Sequence, residues 1–287
     1  MCDQDHFEDD VKEYTARGAV TRRNFGALTL GAGMAFLLPR AADAAAVTET
    51  DVKVKTPDGI CDAYFVHPTS GAAAGVVMWP DILGLRPAFR QMGKRLAESG
   101  YAVLVVNPFY RMKVAPVVPA GASFSDPAVR NTVMPLMQAL NPATVATDAK
   151  AFVSFLDSQA AVDKKKKIGT MGYCMSGPYT IRTAATNPDR VAAGASFHGG
   201  GLVTKAADSP HLLATKAQFL FAIAENDDKT DPDAKTVLKD TFKSNAEVEV
   251  YTGAAHGWTV PDSAVYNEPQ AEKAWSRMLA LFGKQLA

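Results

Sequence analysis

The sequence is poor in cysteine and has no excess of charge of either sign. Only three of its 287 residues are cysteine, which is too few for a disulfide framework. Thirty basic side chains balance thirty acidic ones, whereas a nucleic-acid-binding protein normally carries a clustered basic excess. The chain also lacks His-Glu-x-x-His and Cys-x-x-Cys motifs, so no metal or other cofactor is expected. Apolar residues, by contrast, make up 47% of the chain, which predicts a compact globular protein.

Residues 1–46 have the pattern of a twin-arginine secretion signal. Arg22 and Arg23 precede an apolar run, 25–38, and a stretch rich in alanine follows it. The run is shorter than the roughly 20 residues that a membrane-spanning helix needs. The pattern therefore predicts a cleaved signal, with a buried N-terminal helix as the alternative. We expect the twin-arginine export machinery to carry the folded chain to the periplasm or outside the cell, with no stable membrane anchor after cleavage.

The rest of the chain, residues 47–287, predicts a single α/β domain. Short apolar runs that are typical of buried strands alternate with segments of helical periodicity. Strands are expected at 61–67, 75–79, 102–106, 167–171, 192–197, 218–224 and 247–251. Helices are expected at 86–99, 143–159, 232–244 and 268–286, with helical patterning also from 131 and from 176. This alternation favours a mostly parallel central sheet with helices on both faces.

Cys174 is the candidate nucleophile. It follows the strand predicted at 167–171, with Gly172 two residues before it and the small residue Ser176 two residues after it. Small flanking residues are needed where a nucleophile occupies a sharp, strained turn from a strand into a helix. On such a turn the sulfur lies near a helix N-terminus, where the helix dipole favours a thiolate. The alternative is an inert buried thiol.

An acidic cluster and a histidine follow in the order of an α/β-hydrolase triad. Strand 218–224 leads into Asp227 and Asp228, and strand 247–251 leads into a loop that contains His256. The order nucleophile, acid, histidine is that of α/β-hydrolases. We predict that Asp227, at the tip of a turn, orients His256, which keeps the sulfur ionised and moves protons. Asp228 remains open as the triad acid, and the neighbouring acids are expected to be solvated or to cap a helix.

Several motifs, taken in order, resemble the dienelactone hydrolase family. They lie at 79–87, 96–104, 107–111, 172–175 and 256–258, and the resemblance runs from about Val54 to the C-terminus. It implies the α/β-hydrolase fold and a Cys-Asp-His triad at Cys174, Asp227 and His256. It also implies an oxyanion hole formed by the backbone N–H groups of two residues, one after the nucleophile and one in a loop after an earlier strand.

Those two residues are Met175 and Ile82. The family also uses a glutamate, just before the oxyanion-hole residue, to help ionise the cysteine. This chain has Asp81 there, one methylene shorter, and capping of the turn into the next helix is its alternative role. The resemblance thus implies a thiol-activating carboxylate of shorter reach.

The substrate-binding side chains depart from the family pattern. The best-known members hold a substrate carboxylate with two arginines, one of them four residues after the histidine, where this chain has Val260. Arg111 and Arg130 are the remaining candidates for contact with an anionic substrate, and surface charges are their alternative role. His198, at the end of a predicted strand, and Trp258 are expected to line the pocket, although His198 has a purely structural alternative.

The sequence therefore predicts a hydrolase that cleaves a small-molecule lactone or carboxylic ester through a thioester at Cys174. Acyl transfer to an acceptor other than water would use the same parts. A non-catalytic periplasmic binding protein is an alternative from another class, but such a protein has no need for a cysteine on a strained turn. A redox protein using Cys61 and Cys174 is a third, weakened by the wide separation of the two residues.

Overall fold

The structure, a computed structural model, describes residues 44–287, so the predicted secretion signal lies outside the described residues except for its last three. Eight strands form one sheet. They are β1 (Val47–Thr56), β2 (Gly59–Pro68), β3 (Ala74–Trp79), β4 (Tyr101–Val106), β5 (Ile168–Tyr173), β6 (Val191–Phe197), β7 (Gln218–Ala224) and β8 (Ala246–Tyr251). Their order is β1-β2-β4-β3-β5-β6-β7-β8. The pairs β1–β2 and β2–β4 are antiparallel, and the other pairs are parallel.

Seven helices accompany the sheet in the described part of the chain. They are α1 (Pro87–Glu98), α2 (Pro127–Gln138), α3 (Pro142–Ser158), α4 (Gly177–Thr186), α5 (Glu225–Thr230), α6 (Ala234–Phe242) and α7 (Glu268–Gln285). Proline at the first turn of α1, α2, α3 and α7 suits a position where no intrahelical N–H bond is lost. Within the described residues, no helix has both the length and the apolarity to cross a bilayer.

Apolar side chains cover both faces of the sheet. On one face, Phe89 of α1 and Phe282 of α7 pack in one core cluster with sheet residues such as Val76. On the other face, Phe152 of α3 and Ile181 of α4 belong to a second cluster. Every residue of β3 and β5 is buried, because both strands lie in the middle of the sheet between these layers. Continuous apolar runs are what strands covered on both faces require.

The predicted fold class, an α/β-hydrolase fold with a mostly parallel sheet and helices on both faces, is confirmed. All seven predicted strands are present, with ends within two residues of the expected ones. The sequence did not reveal β1, because this edge strand buries only Val54 and Thr56 fully and so lacks a clear apolar pattern. It did not reveal α5 either, which is only six residues long and mostly polar.

The parallel strands place their carboxyl ends at one edge of the sheet. The residues that follow β3, β5, β6, β7 and β8 therefore meet there. Those residues are Asp81, Cys174, His198, Asp227 and His256. In open α/β sheets this edge is where ligands bind.

Candidate active site

Cys174 lies on a sharp turn between β5 and α4. The strand ends at Tyr173, one turn of 3₁₀ helix covers Cys174–Ser176, and α4 begins at once. The φ angle of Cys174 is +55°, in the left-handed region that non-glycine residues seldom occupy. A Cβ atom on Gly172 would lie 2.2 Å from the carbonyl oxygen of Ser176, so this position requires glycine. The predicted strained turn with small flanking residues is confirmed.

Ser176 holds this turn in place. Its Oγ accepts a hydrogen bond from the backbone N–H of Tyr173 at 2.9 Å and donates to the carbonyl oxygen of Trp79 at 2.8 Å. The residue is completely buried, and Trp79 ends the neighbouring strand β3. A serine can therefore stand where the second glycine of the elbow is usual, because its hydroxyl joins the turn to β3.

Asp227, and not Asp228, contacts His256. Both carboxylate oxygens of Asp227 lie 2.9 Å from Nδ1 of His256, while Asp228 forms an ion pair with Lys235 at 2.7 Å. The two aspartates belong to the short helix α5, so the expectation of a turn at this point was wrong. Successive side chains on a helix are about 100° apart, and only one of two neighbours can face the histidine.

Two further residues of α5, which sequence reasoning missed, fix the backbone of the histidine loop. Asn226 Oδ1 accepts a hydrogen bond from the backbone N–H of His256 at 2.8 Å, and Glu225 Oε2 accepts one from Gly253 at 2.6 Å. Asn226 is buried. The sequence signal that could have singled it out is an amide side chain close to the carboxyl end of β7. Residues 225–227 thus hold both the ring and the backbone of the histidine.

Cys174 and His256 line one cavity of about 460 Å³. Of the other predicted site residues, the lining includes Asp81, Ile82, His198 and Asp227. Met175 is not among the residues that line the cavity, although it belongs with Ile82 and Cys174 to one apolar cluster. The remaining wall is largely apolar and includes Leu83, Ala122, Phe124, Leu202, Val203, Ile223, Ala234, Leu238, Ala264 and Val265. The cavity has the size and the apolar lining typical of a small-molecule site.

The carboxylate that was expected to activate the thiol, that of Asp81, forms an ion pair with the buried Arg86. Arg86 donates to both oxygens of Asp81, at 2.6 and 2.9 Å, and to both oxygens of Asp262, at 2.7 and 2.8 Å. Asp81 also accepts a hydrogen bond from the backbone N–H of Leu83, which fits the turn-capping alternative. Burial opposes the charge on Arg86, but the nearby Asp81 and Asp262 raise its guanidinium pKa above the ordinary value. Sequence reasoning missed Arg86 and Asp262, which are 176 positions apart.

His198 lines the cavity beside His256, while Trp258 lies on the other side of the His198 ring and outside the lining. The centre of the His198 ring is 4.9 Å from that of His256 and 5.3 Å from that of Trp258. His198 Nε2 is 3.0 Å from Oγ1 of Thr259. Burial, and then the proximity of His256, lower the His198 pKa well below its ordinary value, so this ring is neutral. Trp258 is completely buried and does not line the cavity, contrary to the expectation.

The two arginines nominated for an anionic substrate do not line the cavity. The guanidinium of Arg111 forms ion pairs with Asp148 at 2.7 Å and with Asp58 at 2.6 Å. Asp148 is buried, and a buried carboxylate is stable only beside a cation. Arg130 donates to the backbone carbonyl oxygens of Phe124 and Ser125 and so supports one loop of the cavity wall. Val260, which stands at the family's arginine position four residues after His256, is buried in the apolar core.

Cys61 is remote from this site. It lies in β2, which β4 and β3 separate from β5, and it is not bonded to Cys174. Burial raises the pKa of the Cys61 thiol far above its ordinary value. The geometry therefore gives the redox alternative no support. Among residues 44–287, no group of three or more His, Cys, Asp or Glu side chains is arranged to hold a metal ion.

Comparison with known proteins identifies the family of this chain. A sequence model of the dienelactone hydrolase family matches residues 61–286. Carboxymethylenebutenolidase of Rhodococcus opacus is 25% identical over 244 residues, which cover 81% of this chain and 90% of that protein. A dienelactone hydrolase-like promiscuous phosphotriesterase from metagenomic libraries matches with a TM-score of 0.68 and 22% identity, covering 84% of this chain and 100% of that one. Dienelactone hydrolase from Anabaena variabilis matches with a TM-score of 0.61 and 15% identity, covering 84% and 99%. At these identities the two solved structures show the fold alone.

Proposed function

The chain belongs to the dienelactone hydrolase family and is a lactone or ester hydrolase, and from this premise we propose that Cys174, His256 and Asp227 form its catalytic triad. One observation carries the proposal. Both Asp227 oxygens lie 2.9 Å from Nδ1 of His256, in the wall of the cavity that also holds Cys174 on its strained turn. This arrangement leaves Nε2 as the ring atom of His256 that can exchange a proton with the sulfur.

In the first half of the reaction the Cys174 thiolate attacks the carbonyl carbon of the ester or lactone. A C–S bond forms, and the carbonyl oxygen becomes an oxyanion that accepts hydrogen bonds from the backbone N–H groups of Ile82 and Met175. When the oxyanion collapses, the C–O bond breaks and His256 donates its proton to the departing alkoxide. A thioester remains on Cys174, and in the case of a lactone the new hydroxyl stays attached to the acyl group.

In the second half a water molecule attacks the thioester carbon while His256 accepts its proton. The C–S bond then breaks, the carboxylic acid leaves, and the thiolate returns. Throughout, Asp227 keeps His256 in the required tautomer and stabilises its protonated form. An acyltransferase would use the same steps with an alcohol or amine in place of water, and the largely apolar wall supports small acyl groups in either case.

The decisive experiment compares Cys174→Ala with the matched control Cys61→Ala. On a panel of lactones and p-nitrophenyl esters, we expect Cys174→Ala to lose more than about 10³-fold in kcat/KM, because nucleophilic attack is lost. The control should stay within about threefold of wild type. Mass spectrometry of an acid-quenched wild-type reaction should locate the acyl group on Cys174. Full activity in Cys174→Ala, or an acyl group elsewhere, would refute the assignment.

We propose in addition that the chain is exported folded to the periplasm or outside the cell. The paired Arg22 and Arg23, the short apolar run and the alanine-rich stretch support this proposal. Replacing both arginines by lysine should leave the full-length chain in the cytoplasm of the producing cell. Normal processing and export of that double variant would exclude the twin-arginine route.

A further inference from the structure

The charges that line the cavity have one predominant sign. Four carboxylates line it, those of Asp81, Asp227, Asp231 and Asp262, against a single guanidinium, that of Arg86. These five side chains sum to a formal charge of −3, and a thiolate at Cys174 paired with a protonated His256 leaves that sum unchanged. Among residues 44–287, Arg86 is the only arginine or lysine in the lining. An anionic acyl group that entered the cavity would meet unfavourable charges.

Arg86 has no donor left for a substrate carboxylate. A guanidinium carries five N–H groups. In Arg86 the Nε–H group and one Nη2–H group donate to Asp262, one group on each Nη donates to Asp81, and the last donates to the carbonyl oxygen of Gly84 at 3.2 Å. Binding a substrate anion would break one of these bonds and separate a buried ion pair, which is costly.

The rest of the wall adds no positive charge that could offset the aspartates. Arg111 and Arg130 lie outside the lining, and aliphatic side chains such as Leu202, Val203 and Leu238 cover much of the remaining surface. Moving a carboxylate from water to such a surface is unfavourable without a partner. We infer that this cavity selects acyl groups without a carboxylate, and that it does so electrostatically, through its uncompensated aspartates.

The selectivity rests on the proposed function, because turnover at Cys174 reports it. Three p-nitrophenyl esters of similar length serve as probes: the hexanoate, which is neutral, the hydrogen glutarate, which is anionic, and the 4-(trimethylammonio)butanoate, which is cationic. One uncompensated charge about 8 Å away disfavours a like charge by about tenfold at an effective dielectric constant of about 30. We expect kcat/KM for the glutarate to be about 30-fold or more below that for the hexanoate, and the cationic ester to exceed the glutarate by at least tenfold.

Two variants test the cause. Asp231→Asn removes one exposed charge from the lining and should raise the glutarate-to-hexanoate ratio about threefold or more. Asp262→Asn also releases Arg86 from one ion pair and should raise the ratio further. Asp240→Asn, exposed on α6 and outside the lining, is the matched control and should leave the ratio unchanged. Raising the salt concentration should bring the glutarate-to-hexanoate ratio of the wild type closer to one, because dissolved ions screen exposed charges.

A binding measurement separates this selectivity from the proposed function. The 4-nitroanilides of hexanoic and glutaric acid carry the same acyl groups on an amide, and calorimetry with Cys174→Ala measures their binding without turnover. Weaker binding of the glutaric anilide supports the selectivity even if no ester is hydrolysed. Three results would overturn the selectivity: kcat/KM values for the glutarate and hexanoate esters within threefold of each other, equally low values for the cationic and anionic esters, or a glutarate-to-hexanoate ratio that Asp231→Asn does not change. None of them would contradict the catalytic role of Cys174.

Discussion

The contact between Asp227 and His256 gives the sharpest prediction, because an adjacent aspartate provides a matched control. Asp227→Asn preserves the shape of the side chain but replaces a carboxylate that accepts from Nδ1 with an amide that can also donate to it. The change favours the wrong tautomer of His256 and removes the charge that stabilises its protonated form. Asp228→Asn makes the same chemical change one position along α5, where the partner is Lys235.

The expected magnitude follows from the geometry. Two unit charges about 4 Å apart attract each other by about 4 kcal/mol at an effective dielectric constant of about 20. The side chains of His256 and Asp227 are 17% and 29% exposed, so solvent screens part of this energy. In serine proteases the equivalent change costs about 10⁴-fold in kcat, and a thiol depends less on its base than a hydroxyl does. We therefore expect Asp227→Asn to lose about 10² to 10³-fold in kcat, which corresponds to about 3 to 4 kcal/mol.

The assay is steady-state hydrolysis of a p-nitrophenyl ester, with thermal unfolding measured on the same samples. Asp228→Asn should lose less than about tenfold, because a partly exposed ion pair contributes about 1 kcal/mol or less. Both variants should unfold within a few degrees of wild type. A larger loss in Asp228→Asn than in Asp227→Asn would move the triad acid to Asp228. Two mild losses would leave His256 without the orienting role assigned to Asp227.

Three further predictions concern the residues around the proposed triad. Ser176→Ala leaves the buried N–H of Tyr173 without its acceptor and should lower the free energy of unfolding by about 1 to 3 kcal/mol in denaturant titrations. The exposed control Ser276→Ala should change that free energy by less than about 0.5 kcal/mol. Equal effects in the two variants would contradict the structural role of Ser176. Arg86→Met leaves Asp81 and Asp262 without their buried cation and should cost about 3 kcal/mol or more in the same titrations, so a loss below about 1 kcal/mol would show that the network contributes little to stability. The folded state holds His198 neutral by lowering its pKa, while the unfolded chain binds a proton there below pH about 6.5, so this residue makes stability fall as pH drops below that value. Between pH 7 and pH 5 the wild type should therefore lose more unfolding free energy than His198→Phe, and an equal loss in the two would count against a depressed His198 pKa.

The sequence alone determined the fold class and the order of the candidate catalytic residues. Short apolar runs identified β3, β4 and β7, because strands that are covered on both faces tolerate few polar side chains. The strained turn at Cys174 was predictable as well, since its requirement for Gly172 is a local steric matter. The edge strand β1 escaped because a strand with solvent on one side needs few apolar residues.

Only the tertiary structure decided what each charged side chain contacts. Asp227 and Asp228 are adjacent and chemically identical, and the direction of each from a six-residue helix selects one for His256. Arg111 forms an ion pair with Asp148 of α3, and Arg86 forms one with Asp262, which lies 176 positions along the chain. A local pattern reports burial and periodicity, but ion pairs form between residues that the fold brings together from distant segments. The sign of the charge in the cavity therefore depends on the tertiary structure, which brings the lining residues together.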